Sequence, residues 1–451
     1  MLNRFAPYVT LLRDNPAFRR MYAAQLVSFA GDWFATVALL GLALELSGSA
    51  AVASLVLVLQ TGAFAVMAPI AGALADRVDR RKMLIWADLA RVPVCLGFLL
   101  ARTPDTLWIA LVCVALLAAL GAFFEPASSA ALPNLVDEDE LPTANVLIGS
   151  AWGVMLAVGA AIGGVVAATL GRDAAFIVDA STFLVSALLI IGIHRSFQQA
   201  REPATSGQAP VSLIGSIRPV VRFARHSRFV SSLLLSKTMF GVGTGVILML
   251  AVFADEVFQA GDVGIGILFA ARGLGALVGP FVARATFGTS DRGLLVGISA
   301  SLLVLTVAYG LFPLAPTIWI AGLLVFVAHL GGGSQWMLST YGLQRHTPDA
   351  IRGRVFSFDF GLVTLTIAAS TVLAGILSES LAPQVAVWVM VGLVAVAGLA
   401  WFWFSTPARR ILPHQPKNAT IGTSVSAAAA PESPGSAAEN QGSPSSETYH
   451  P

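Results

Sequence analysis

Charge is scarce in this chain. Only 12% of its residues are Asp, Glu, Lys or Arg, about half the usual share for a soluble domain. Cysteine is rarer still. Cys95 and Cys113 are the only two, and both fall inside apolar runs, where cysteine behaves as a small hydrophobe. No disulfide framework and no metal-ligand spacing follows from two such positions. The sequence also lacks a Walker motif, a zinc signature and a nucleophile–base constellation. ATP-driven transport and hydrolysis are therefore without residues, and neither an enzyme activity nor a cofactor is expected. Basic residues sit in loops without interleaved aromatics, so nucleic acid is not an expected partner. Residues 1–20 are polar and basic with no apolar centre, which argues against a cleavable signal peptide.

What is present is apolar length. Hydrophobic residues make up 56% of the chain, with a mean hydropathy of +0.78. Continuous runs of about 18 residues or more need lipid and favour helices over the alternating strands of a barrel. Twelve such runs can be counted. The expected class is an all-α polytopic membrane protein with twelve transmembrane helices in two six-helix pseudo-repeat bundles. The expected organisation is a cytoplasmic segment over 1–21, a first bundle over 22–194, a basic central loop over 195–229, a second bundle over 230–405 and a disordered tail over 406–451. Within the loop, residues 214–228 read as an amphipathic helix on the membrane surface.

Lysine and arginine set the orientation. With the N-terminus inside, 22 of the 27 fall in cytoplasmic segments, Arg102 and Arg172 fall outside, and Arg91, Lys237 and Arg272 lie within spans. The positive-inside rule then places both termini in the cytoplasm. The densest basic cluster is the short link Gly72-Ala73-Leu74-Ala75-Asp76-Arg77-Val78-Asp79-Arg80-Arg81-Lys82-Met83-Leu84, with six charges in the seven residues from Asp76 to Lys82. Asp76 and Arg80 are four apart and would pair on a helical end. The corresponding place in the second half carries Pro348-Asp349-Ala350-Ile351-Arg352-Gly353-Arg354, a parallel repeat of the kind produced by an axis along the membrane normal.

Ionisable residues within spans cost about 2.5–3.5 kcal/mol each at mid-helix, so each invites a functional reading. Asp32, beside Gly31 in the first span, leads as a proton- or substrate-coupling group. Its bland alternative is an acid hydrogen-bonded to a neighbouring helix. Glu125 precedes Pro126, where a kink opens space near an acid. Arg91 is positioned to balance Asp32, Asp88 or Glu125. Asp179 reads as a residue near the outer face, capping or pairing there. Lys237 reads as snorkelling from the inner end of its span, and Arg272 as a cavity residue. His329 is either a cavity residue or a hydrogen-bonded packing residue. The glycines Gly331-Gly332-Gly333 read as helix contacts and hinges rather than as a phosphate cradle.

Twelve spans, a long central loop and the 72–84 link resemble the major facilitator superfamily. Its signature, G-x-L-a-D-r-x-G-r-k-x-x-L, is matched at Gly72, Leu74, Asp76, Arg77, Arg80, Arg81 and Leu84, with Asp79 standing where the inner glycine belongs. Asn15-Pro16-x-Phe18-Arg19-Arg20, Ser28-Phe29-Ala30-Gly31-Asp32-Trp33, Phe124-Glu125-Pro126-Ala127 and Asp179-Ala180-x-Thr182-Phe183 further resemble the macrolide-efflux and enterobactin-exporter branch of drug/proton antiporters. The resemblance implies proton-driven export of an amphipathic small molecule, drug-like or siderophore-like, by a monomer in the inner (plasma) membrane. It also implies a cytoplasmic latch at Gly72, Asp76, Arg77, Arg80 and Arg81, facing Asp349, Arg352, Gly353 and Arg354. Two features depart from the drug antiporters. Gly159-Ala160-Ala161-Ile162-Gly163-Gly164 lacks the expected proline, and residues 116–121 lack a basic residue. An importer, a uniporter and a non-transporting receptor or scaffold therefore stay open as alternatives.

Overall fold

A computed structural model of the chain describes residues 6–75, 78–137, 139–197 and 213–411. Asp76 and Arg77 lie outside the described residues, as do the linker over 198–212 and the tail over 412–451. The surroundings of Gly72, Glu125, Asp349, Arg352 and Gly353 are likewise outside them, although the backbone there is helical.

The helices are α1 (Ala6–Asp14), α2 (Pro16–Ser47), α3 (Ala50–Ala75), α4 (Arg80–Leu96), α5 (Leu107–Leu135), α6 (Leu141–Leu170), α7 (Arg172–Ile191), α8 (Leu213–His226), α9 (Arg228–Gly241), α10 (Val246–Val252), α11 (Gly261–Phe287), α12 (Asp291–Leu311), α13 (Ile318–His346), α14 (Asp349–Ser380) and α15 (Pro383–Ile411). Among the described residues, twelve stretches are long and apolar enough to cross a membrane, with α9 and α10 sharing one. Large side chains such as Trp86, Trp108, Leu303, Trp319 and Trp403 point outward. In water that surface would aggregate; in a bilayer it is the solvated face. The structure is a multi-pass helical membrane protein.

The helix packing repeats. In the first half α3 packs on α5, α2 on α6 and α7, and α4 on α5 and α7. In the second half α11 packs on α13, α9 on α14 and α15, and α12 on α13 and α15. Moving each span forward by six maps one set onto the other. The contacts between halves obey the same rule, because α3 meets α14 and α6 meets α11.

Local chemistry sets the helix starts. Asn15 caps α2, its side chain accepting from the Phe18 amide at 3.0 Å, and Pro16 takes the first helical position, where no amide hydrogen is needed. The Asn15 amide also donates to the Leu135 carbonyl at 2.9 Å, tying the helix entry to the end of α5. Asp79, the departure from the superfamily signature, caps α4 by accepting from the Lys82 amide at 2.9 Å. The surface helix of the central loop ends two residues earlier than the sequence reading, because Ser227 breaks it to cap α9.

Glycines bring the helices together. Gly159 faces Ala30 and Trp33 of α2, Gly163 faces Phe34, and Gly164 faces Gly266 of α11. The glycine pair of the sixth helix thus touches two helices at once, one in each half. Gly331 and Gly333 lie against the backbones of α12 and α11 at Ser301 and Ala276, in keeping with helix contact.

Candidate functional site: a charged cavity between the halves

A cavity of about 530 Å³ opens between the two halves, within the range that takes a drug-sized ligand. Its lining comes from α2, α3, α4, α5, α6, α7, α11 and α14, and from the break between α9 and α10. At that break the Gly245 amide is held by the Ser370 hydroxyl at 2.8 Å, so irregular backbone is paired inside protein rather than exposed to lipid. Most lining groups are apolar or aromatic. Four are charged: Asp32, Arg91, Asp179 and Arg272.

Three of the four charged lining residues, Asp32, Arg91 and Asp179, come from the first half. Arg91 lies 3.6 Å from Asp88 and donates to the Ser28 hydroxyl at 3.2 Å. Its guanidinium also sits over the Phe124 and Phe183 rings at 5.4 and 5.0 Å. Among the described residues, Asp88 is the acid in ion-pair range of Arg91; the Glu125 side chain lies outside them. Asp88 in turn accepts from Ser186 at 2.6 Å. Asp32 is half-buried and faces the cavity.

Asp179 corrects the sequence reading. It is fully buried and lines the cavity, rather than capping or pairing near the outer face. Cys95 donates to its Oδ2 at 3.1 Å, while Oδ1 has no hydrogen-bond partner. The reason lies on the neighbouring helix. Gly31 has no side chain, so α2 approaches Asp179 and Thr182 of α7 more closely than any Cβ would allow. Cys95 is therefore more than a packing residue.

In the second half the charges are arranged differently. Lys237 pairs with Asp359 at 2.5 Å, with side-chain exposures of 4% and 2%. Its ammonium also lies 4.8 Å from the Trp336 ring centre. Lys237 is sealed in the bundle and does not snorkel. The sequence signal for Asp359 is an acid inside a long apolar run, which the reading above leaves out. Arg272 lines the cavity in an aromatic setting, its Cζ 5.8 Å from the Trp33 ring centre, 5.9 Å from that of Trp152 and 5.7 Å from that of Phe269. His329 is buried behind the cavity wall, 2.8 Å from the Tyr309 hydroxyl. It packs against a small separate void beside Phe240 and Leu305, the packing alternative offered above.

The two ends of the molecule also differ. At the end away from Asp79, Arg172 of α7 bridges the halves, pairing with Asp262 of α11 at 3.0 Å and with Glu45 of α2. Nearby, Ser49 donates to Glu379 of α14 at 2.5 Å, and Gly375 lies against Ala51 and Ser54. Each of these charges stands at a helix end, where a sequence reading sees only loop. Midway along α3 and α14, Gly62 and Gly361 each have open space where a Cβ would stand. Arg81 donates to the Ile191 carbonyl at the C-terminus of α7, within its own half, where a cation suits the helix dipole. Arg80 begins α4 and Arg354 is exposed on α14.

The repeat of six and six spans around a central cavity defines a major facilitator fold. The chain belongs to the Transmembrane secretion effector family of that superfamily, whose profile matches residues 4–434. Among relatives, the chain is 26% identical over 386 residues to the protein named "Putative bacilysin exporter BacE" of Bacillus subtilis (strain 168), covering 84% of this chain and 93% of that one. It is 27% identical over 362 residues to the enterobactin exporter EntS of Shigella boydii serotype 4 (strain Sb227), covering 77% and 82%. Solved structures share the fold at lower identity. A bacterial homologue of the human lysosomal transporter Spinster, inward-facing and unoccupied, superposes with a TM-score of 0.67 at 15% identity, covering 86% of this chain and 96% of that one. A peptide transporter, POT, in complex with sulfate superposes with 0.69 at 14% identity, covering 88% and 95%.

Proposed function

We propose that this protein is a proton-coupled exporter of amphipathic small molecules, working as a monomer by alternating access. The observation that carries the reading is the cavity itself: a largely apolar chamber between two pseudo-equivalent bundles, with ionisable groups on its wall. Asp32 is the coupling acid, because it faces the cavity and has neither an ion-pair partner nor a side-chain hydrogen bond among the described residues. Asp179 and Glu125 are the alternative acids for that role, and Arg91 steadies the acidic group. The names of the two relatives, one an exporter of bacilysin and one of enterobactin, favour outward transport of a drug-like or siderophore-like solute.

In this reading the Arg172–Asp262–Glu45 clamp closes one end while the other stands open. The latch residues Gly72, Asp76, Arg77, Arg80 and Arg81, with Asp349, Arg352, Gly353 and Arg354, close the second end in the opposite state. The 22-to-2 distribution of Lys and Arg supports a cytoplasmic latch and cytoplasmic termini in the plasma membrane. The energy suffices. A proton moving down about 100 mV releases about 2.3 kcal/mol, and one pH unit adds about 1.4 kcal/mol. Together they sustain a gradient of roughly several hundredfold for a neutral solute.

The test is accumulation of a fluorescent amphipathic dye in an efflux-deficient host. The wild-type chain should lower accumulation, and both a protonophore and Asp32→Asn should abolish that effect. Raised accumulation would make the protein an importer. Export that persists with the proton gradient collapsed would remove proton coupling.

A further inference from the structure

Among the described residues, the cavity wall holds one cation that is left without an anion. Arg91 has Asp88 and Ser28. Lys237 has Asp359. Arg172 has Asp262 and Glu45. Arg272 has no carboxylate within ion-pair distance among the described residues, and its buried Nε has no hydrogen-bond partner. Its neighbours are ring faces, Trp33, Trp152 and Phe269. Aromatic faces attract a guanidinium, but they accept none of its five N–H hydrogens in the way a carboxylate does.

The position is held, not loose. Gly273, the next residue, lies against the Ala157 backbone of α6, where an added Cβ would stand 2.8 Å from Cα. That contact presses α11 onto α6 and keeps Arg272 beside Trp152. Trp33 comes from α2, Trp152 from α6, and Phe269 and the guanidinium from α11, so the three helices that frame the site span both halves. A buried, uncompensated charge is costly. A site that keeps one rigidly at a cavity wall fits an anion that arrives and leaves.

From this geometry we infer that Arg272 is the anchor for an anionic group, of the carboxylate class, on a substrate whose aromatic or apolar body lies against Trp33 and Trp152. The planar fork grips a carboxylate through two parallel hydrogen bonds, and the rings exclude water from them. This narrows the proposed substrate class from amphipathic molecules in general to amphipathic anions and zwitterions, and it rests on the reading of the cavity as the transport site.

Trp33 and Trp152 provide the readout. The full-length chain, purified in detergent, is titrated with phenylbutyrate, phenylbutyramide and phenylbutylamine while tryptophan fluorescence is followed. The three probes share a body and differ in the end group. Phenylbutyrate should quench saturably at about tenfold lower concentration than the amide, with phenylbutylamine the weakest. Arg272→Gln should erase the carboxylate preference while leaving amide binding in place. Arg272→Lys should keep a reduced preference, because an ammonium is a point charge without the fork. If Arg272→Gln fails to fold, the three-probe series on the wild-type chain decides alone. Equal binding of acid and amide, an amine preference, no saturable quenching by any probe, or a preference that survives Arg272→Gln overturns the assignment. The titration uses no proton gradient. Loss of proton coupling in the dye assay would therefore leave this result standing, and failure here would leave the dye assay standing.

Discussion

The two halves share a packing plan and dispose of their buried charges in opposite ways. In the second half, Lys237 and Asp359 close on each other out of reach of the cavity lining. In the first half, Asp32, Asp88, Arg91 and Asp179 form a group with more acids than bases, and Asp32 and Asp179 reach the cavity wall. A sealed pair serves cohesion between helices. An acid with an accessible face on the cavity, as Asp32 has, can exchange a proton with water there. Access to the cavity is what the proposed coupling role requires, and the sealed pair lacks it. Arg272 stands between these cases, since it comes from the second half and is surrounded largely by rings of the first.

The sharpest way to break this comparison is at the sealed pair. Lys237→Met should leave Asp359 buried without its partner and destabilise the protein by about 3–5 kcal/mol. A size-exclusion profile and a thermal scan would register the loss. Adding Asp359→Leu should recover most of the stability, because the double variant has no charge to strand. If Lys237→Met is as stable as the wild-type chain, the pair is not cohesive and the contrast between halves fails.

Asp32→Asn should do the reverse. Folding and detergent stability should hold, while dye export falls by at least about tenfold, the scale of one lost interaction of about 1.4 kcal/mol. Wild-type export by this variant would move the coupling role to Asp179 or Glu125.

Between the halves, Arg172→Gln should weaken the clamp. Partly exposed ion pairs contribute up to about 1 kcal/mol, so the population open at that end should rise about fivefold. Labelling of a cysteine introduced at Ser49 would report the shift as a faster reaction rate. An unchanged rate would reduce the clamp to surface decoration.

The smallest effects compare equivalent helix starts. Asp79 caps α4, the third span of the first half, and Ser290 caps α12, the third span of the second, accepting from Gly293 at 3.2 Å. Each alanine variant should cost about 1 kcal/mol, whereas Asp79→Gly, which restores the superfamily signature, should cost only about a few tenths. A large loss of stability with Asp79→Gly would mean that the aspartate does more than cap.

Much of this protein could be read from the chain. Long apolar runs have one solution in a bilayer, helices that satisfy their own backbone, so class and span number follow from length and hydropathy. Intramembrane charge is costly enough to mark Asp32, Arg91 and Arg272 in the sequence, and all three line the cavity. The partners were not readable. Asp179 looked peripheral because distance along a helix says nothing about which way the side chain faces or how closely Gly31 lets the next helix approach. Lys237 looked like a snorkelling residue because its acid lies 122 positions away. Arg172, Asp262 and Glu45 looked like unrelated loop charges until three helix ends met. Hydropathy is a property of a segment, and one chain determines it. Pairing is a property of two segments brought side by side, and only the packed bundle decides it.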